Sequence, residues 1–147
     1  MKALLPGLYL LPVPIPYPLK TVNLYLLQGA GEVALVDTAL GTRAARGALE
    51  LHLAELGLCF QDVKTILLTH HHPDHFLGNQ AFPPATLAAL PDTIAALRSE
   101  GEAFNANMYR LNGDWMRDTE VVVPTRAVTP GRQRIGGRDL ELLALGG

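Results

Sequence analysis

A single cysteine, Cys59, leaves the chain with no possible internal disulfide. That fits a reducing cytoplasm rather than an oxidising compartment, and the thiol is expected to be a small core residue, not a nucleophile. Charge is sparse as well: twelve Lys and Arg against fourteen Asp and Glu leave a net charge of −2, with no basic block. The electrostatic footprint of a nucleic-acid binder is missing, so no nucleic-acid partner is expected. Residues 3–19 carry no charge, yet Pro6, Pro12, Pro14, Pro16 and Pro18 interrupt them. Prolines at that density prevent a regular helix, which argues against a membrane span or signal peptide. No internal repeat or low-complexity segment is present. What remains is 147 residues, 48% hydrophobic, enough for one soluble domain with a real core.

Histidine is also scarce, but four of the five lie together in Thr69-His70-His71-His72-Pro73-Asp74-His75. Ahead of them runs Val63–Leu68, an apolar, β-branched segment of buried-strand type. The cluster is therefore expected on a loop aimed by a rigid strand. If residues 69–72 stay extended, His70 and His72 point to one side and His71 to the other, which makes His71 a bystander. Pro73 turns the chain and opens a short helix, bringing Asp74 and His75 round to a second position. Imidazole and carboxylate are the usual ligands of zinc, and suit iron or manganese less selectively. A bound ion lowers the pKa of its water to about 7, and two ions about 3.5–4 Å apart can hold that water between them while polarising a substrate oxygen.

His70-x-His72-x-Asp74-His75, led by Leu67-Leu68-Thr69 and followed by Gly78-Asn79, resembles the signature of the metallo-β-lactamase superfamily. The resemblance extends upstream through Val22–Leu27 and Glu32–Thr38, which look like the family's early hairpin with its strand-ending Asp, and is specific over residues 22–82. It implies an α/β (α+β) fold: the N-terminal half of an αββα sandwich, a mixed sheet flanked by helices. It also implies a zinc-dependent hydrolase with two ions, iron or manganese being possible. By that analogy His70 and His72 bind the first metal, and Asp74 and His75 the second. Asp37 either holds the metal loop by hydrogen bonds or simply begins a turn.

The remaining elements follow from local pattern. Gly7–Leu11 reads as a first strand, followed by a stiff extended loop from Pro12 to Pro18. In the family such a loop reaches over the metal site, so Val13, Ile15 and Tyr17 are either an apolar flap or a connector packed on its own domain. Residues 22–28 and 33–38 form a hairpin around Gly29-Ala30-Gly31, with Leu24, Leu26 and Leu35 in the core. A helix is expected from Thr42, its N-cap, to Leu56, with Gly57 as the stop and His52 partly buried. Its position between two strands predicts a parallel crossover. A short helix over 76–82, a strand over 86–90 and a long helix capped by Asp92 or Thr93 come next. That helix carries a stripe of Ile94, Leu97, Gly101, Phe104, Met108 and Leu111. The stripe is core, unless the helix is a lid bringing Tyr109 and Trp115 to the site. Gly113 and Asp114 end it, and strands are expected at Val121–Val123, Gln133–Ile135 and Leu140–Leu145.

No histidine follows His75. The family takes a third His for the first metal, a bridging Asp and another His from its second half, so residues 1–147 read as a metallo-β-lactamase-like domain truncated before that half. The expected partners are the missing C-terminal half or a second copy paired through an open face, and a small-molecule substrate. Three readings of function follow. The first is a hydrolase in which metal-bound hydroxide attacks an ester, thioester, lactone or amide, with Asp74 orienting the nucleophile; the charge balance disfavours the family's nucleases. The second is a non-catalytic binding or regulatory module that keeps the metal loop. A di-iron redox relative, which typically carries Glu in place of His72, is the third.

Overall fold

In the computed structural model, residues 1–113, 116 and 119–145 are described. Asp114 and Trp115, expected at the end of the long helix and on its lid, lie outside the described residues. The elements run β1 (Lys2–Leu5), β2 (Leu8–Pro14), β3 (Thr21–Gly29), β4 (Glu32–Val36), α1 (Arg43–Glu55), β5 (Thr65–Leu67), α2 (Pro73–Phe76), β6 (Thr86–Ala89), α3 (Pro91–Asn112), β7 (Arg126–Ala127), β8 (Gly131–Ile135) and β9 (Arg138–Leu142). Strands β1 to β7 form one sheet in sequence order, and β8 and β9 pair as a separate hairpin. The sheet is mixed: β1 to β4 are antiparallel, while β4 to β7 run parallel.

Local chemistry accounts for most of this. In β3, Val22, Leu24 and Leu26 are buried while Thr21, Asn23 and Tyr25 face outward, the period-two pattern of a strand. The β3–β4 hairpin turns at Ala30 (φ 46°) and Gly31 (φ 78°), the paired positive φ values of a tight hairpin turn. Thr42 caps α1, its hydroxyl accepting from Ala45 N–H at 3.1 Å, and Gly57 (φ 70°) ends it. The expected crossover is present, with β4 and β5 paired in parallel from Ala34↔Thr65 to Val36↔Leu67 on either side of α1.

One sheet face carries the larger core. Val13, Leu24, Leu26, Leu35 and Ile66 pack with Ala45, Leu49 and Leu53 of α1 and with Ile94, Leu97 and Met108 of α3. The other face is covered by the β8–β9 hairpin, where Leu27, Ala34, Leu67 and Ala88 meet Val128 and Ile135. The helices therefore lie together on one side, and a hairpin lies on the other. Among the described residues no helix is long and apolar enough to cross a membrane.

Several elements differ from the sequence reading. The first predicted strand runs on through Pro12 and Pro14, and Val13 and Ile15 are 0% and 7% exposed, so they are core and not a flap. The prolines are tolerated because Ile15 N–H bonds Lys20 O at 2.9 Å. Odd positions thus donate towards β3, and the prolines at even positions face the side that β1 has left open. The helix expected over 76–82 is α2 followed by a 3₁₀ turn at Asn79–Ala81. Helix α3 starts without a side-chain cap, because Pro91 itself takes the first helical position. Its stripe ends at Met108, since Leu111 is 57% exposed. Tyr109 is turned to the core segment: its hydroxyl accepts from Thr119 N–H at 2.8 Å. Val121–Val123 form no strand. Cys59 is exposed, not core, and its thiol donates to Asp62 Oδ2 at 3.1 Å.

Candidate metal centre

The parallel strands β4, β5 and β6 end at one edge of the sheet, and that edge carries the histidine loop. Strand β5 is short, but Ile66, Leu67 and Leu68 are all buried, so the loop leaves a fixed support. His72 is extended (φ −73°, ψ 143°) as the residue before Pro73, which occupies the first turn of α2. Two of the loop histidines meet as alternation along an extended chain places them. His70 and His72 stand side by side, their ring centroids 4.7 Å apart, and His75 comes round to 4.1 Å from His70. His71 packs on Phe104 of α3, with centroids 5.8 Å apart, and its ring also meets that of His72 edge-on at 5.6 Å.

The donor atoms are close. His70 Nε2 lies 3.2 Å from His72 Nδ1, and His75 Nε2 lies 3.6 Å from Asp74 Oδ2. Two nitrogens each about 2.0–2.1 Å from a tetrahedral zinc would be about 3.3–3.4 Å apart, so both spacings suit pairs of ligands to one ion. Neither pair is a closed site. Among the described residues, no group of three or more His, Cys, Asp or Glu is arranged to hold a metal.

Asp37 organises the loop from beneath. It follows β4, is 3% exposed, and has φ 62°, a left-handed conformation uncommon outside glycine. Its Oδ1 accepts from Thr69 N–H at 2.8 Å; its Oδ2 accepts from the Thr69 hydroxyl at 2.7 Å and from His75 Nδ1–H at 2.8 Å. Of the two readings open for Asp37, the hydrogen-bonding one describes this arrangement. Burial alone would lower the pKa of His75, but the hydrogen bond and charge of Asp37, helped by Asp74, hold it above the ordinary value. His70 moves the other way: burial and then the neighbouring His75 lower it, against the pull of Asp37.

Two further side chains join the site. Thr69, to which the sequence reading gave no role, places Oγ1 2.9 Å from His70 Nδ1 and so joins that ring to Asp37. Tyr17 donates to Met108 Sδ at 2.9 Å, and its pKa is raised first by burial and then by the charge of Asp74. Of the three candidate flap residues, Tyr17 is the one that is not fully buried, and its hydroxyl is bonded to Met108 of α3. Behind the loop, Thr38 N–H bonds His75 O at 2.8 Å, Thr38 Oγ1 donates to Asn79 Oδ1 at 2.9 Å, and Asn79 Nδ2 donates to the Val122 carbonyl.

Comparison with known proteins agrees with this architecture. The chain is 36% identical over 63 residues to probable metallo-hydrolase YqjP of Bacillus subtilis (strain 168), a match covering 43% of this chain and 19% of that protein. It superposes on the crystal structure of a metallo-beta-lactamase family protein from Thermus thermophilus with a TM-score of 0.79 and 56% identity, covering 96% of this chain and 52% of the other. A Beta-lactamase domain protein from Burkholderia ambifaria gives a TM-score of 0.70 at 25% identity, over 95% of this chain and 48% of the other. The chain thus spans about half the length of these solved relatives. The profile of the metallo-beta-lactamase superfamily matches residues 17–91, just over half of the sequence and a span that includes Asp37 and the whole histidine loop. On that match, and on a fold shared at 56% identity, the chain belongs to the metallo-beta-lactamase superfamily.

Proposed function

We propose that this chain supplies the His70, His72, Asp74 and His75 ligands of a dinuclear metal centre in a hydrolase acting on an ester, thioester, lactone or amide. The observation that carries the reading is the 3.2 Å approach of His70 Nε2 to His72 Nδ1 beside a second pair, Asp74 and His75. Zinc is the first choice for such a donor set, with iron or manganese the alternatives. When bound, the ions would polarise the substrate carbonyl and bring the pKa of water to about 7.

The chain's own residues have distinct tasks in this reading. Asp74 accepts a hydrogen bond from the attacking water at its carboxylate and so orients it, while serving as a ligand of the second position. Asp37 keeps His75 Nδ1 protonated, which leaves Nε2 free as a donor. Phe104 walls the loop on the α3 side.

Zinc titration followed by metal analysis tests the ligand set, and turnover of thioester and lactone substrates tests the activity. Metal uptake by the wild type that His72→Ala loses supports the site; a variant with unchanged uptake removes it. A non-catalytic module that retains the loop is the second reading; the lack of a third ligand for either pair among the described residues fits both readings. Metal uptake without turnover of any of those substrate classes, with a C-terminal half supplied, decides for the module.

A further inference from the structure

We propose that the Thr69 hydroxyl is a positioning group that, with Asp37, fixes the tautomer of one histidine in each ligand pair. The inference deepens the metal-centre reading and rests on it. A threonine hydroxyl has a single hydrogen, and a carboxylate can only accept. The 2.7 Å contact from Thr69 Oγ1 to Asp37 Oδ2 uses that hydrogen. Towards His70, Thr69 therefore offers only a lone pair, and the 2.9 Å contact requires a proton on His70 Nδ1. His70 Nε2, the atom 3.2 Å from His72 Nδ1, is left bare. His75 is set the same way without an intermediary, its Nδ1–H donating directly to Asp37 Oδ2 at 2.8 Å. One buried carboxylate thus prepares a ligand at each metal position, reaching the first through Thr69. An imidazole without such a partner is free to populate either tautomer, which would leave part of the population with a proton on the ligating nitrogen.

The test uses the metal-free chain at alkaline pH, where both imidazoles are neutral, with ¹⁵N–¹H correlation spectra that report which ring nitrogen of each histidine is protonated. Wild type is expected to show Nδ1–H at both His70 and His75. Thr69→Val should turn His70 into a tautomer mixture and leave His75 unchanged, and Thr69→Ser should restore His70. Zinc affinity should fall about 10- to 100-fold in Thr69→Val and recover in Thr69→Ser. A wild-type His70 protonated at Nε2 overturns the proposal, and that result needs no variant to fold. A Thr69→Val chain with His70 still protonated at Nδ1 overturns it too. Should wild type take up no zinc, the metal-centre reading fails, and the tautomers still decide the role of Thr69.

Discussion

Asp37 and His75 are 38 residues apart in sequence, yet Asp37 Oδ2 and His75 Nδ1 meet at 2.8 Å beneath the histidine loop. The contact joins the end of β4 to the first turn of α2, and the backbone reinforces it, with Thr38 N–H bonding His75 O at 2.8 Å. Any ligand geometry at the loop depends on this crossing of two chain segments.

Removing the carboxylate is therefore expected to damage both stability and metal uptake. Asparagine is the informative variant, because it tolerates the left-handed backbone of residue 37 better than alanine does. Its amide would turn an NH₂ towards one of three donors: Thr69 N–H, the Thr69 hydroxyl or His75 Nδ1–H. A buried donor without an acceptor costs about 1–3 kcal/mol, and loss of such a support about 10- to 100-fold in metal affinity. Urea unfolding of metal-free Asp37→Asn and a zinc titration measure the two effects. Wild-type values in both would show that the carboxylate supports nothing.

Neighbouring histidines should behave differently. His72→Ala removes a nitrogen that faces His70 Nε2 at 3.2 Å and is expected to abolish zinc uptake at that position. His71→Ala removes a ring that packs on Phe104 of α3 and on the edge of His72 but brings no donor atom to either pair, and it is expected to leave zinc affinity within about twofold. Its cost is a stability loss of about 0.5–1.5 kcal/mol from the ring contact. Calorimetric titration and thermal melts of both variants separate the roles; equal loss of zinc in both would mean that alternation along the loop does not sort ligands from packing.

That alternation was legible in the sequence because it is local. His70, His72, Asp74 and His75 lie within six residues, so strand geometry and one proline turn suffice to bring them together. The hairpin at Ala30-Gly31, the cap at Thr42 and the stop at Gly57 were readable for the same reason. What was missed is nonlocal or lies at edges. Strand β1 has four exposed residues and therefore no burial pattern to find. Pro12 and Pro14 look like loop residues until the open edge beside them is known. Residue type alone places Cys59 in the core, whereas the turn after Leu58 puts its thiol outside against Asp62. The link from Asp37 to Thr69 spans 32 residues, and no spacing rule predicts which donors a strand-ending carboxylate collects.

The Cys59–Asp62 contact has a pH signature of its own. Asp62 accepts from the Cys59 thiol and from Cys59 N–H, and these bonds hold its pKa below the ordinary carboxylate value. A lowered folded-state pKa means that the contact stabilises the chain above the unfolded pKa of Asp62 and ceases to do so as pH falls through the folded value. Cys59→Ala removes the thiol and keeps the N–H, so the Asp62 midpoint should rise part of the way back towards the ordinary value. A carbon-detected NMR titration of the Asp62 carboxyl measures it. An unmoved midpoint would show that the thiol hydrogen bond contributes nothing.

Gly78 gives the sharpest prediction about the scaffold under the loop. It lies just past α2, where Gly78 N–H bonds Ala39 O at 2.9 Å, and its φ of −81° is open to any residue. The constraint is space: a Cβ at residue 78 would run into the carbonyl of Thr38. That carbonyl belongs to a rigid backbone, and Thr38 N–H also bonds His75 O at 2.8 Å. The clash cannot be relieved by a side-chain rotation, so Gly78→Ala must separate the segment after β4 from the segment after α2. Overpacking of this kind costs about 1–3 kcal/mol, and the same separation pulls His75 from Asp37. Gly78→Ala should therefore lower the urea midpoint and weaken zinc binding together. Gly47→Ala on α1, where a Cβ meets nothing within 4 Å, is the control that should do neither. If Gly78→Ala melts like wild type and binds zinc as tightly, the close crossing of these two segments is not what holds His75 in place.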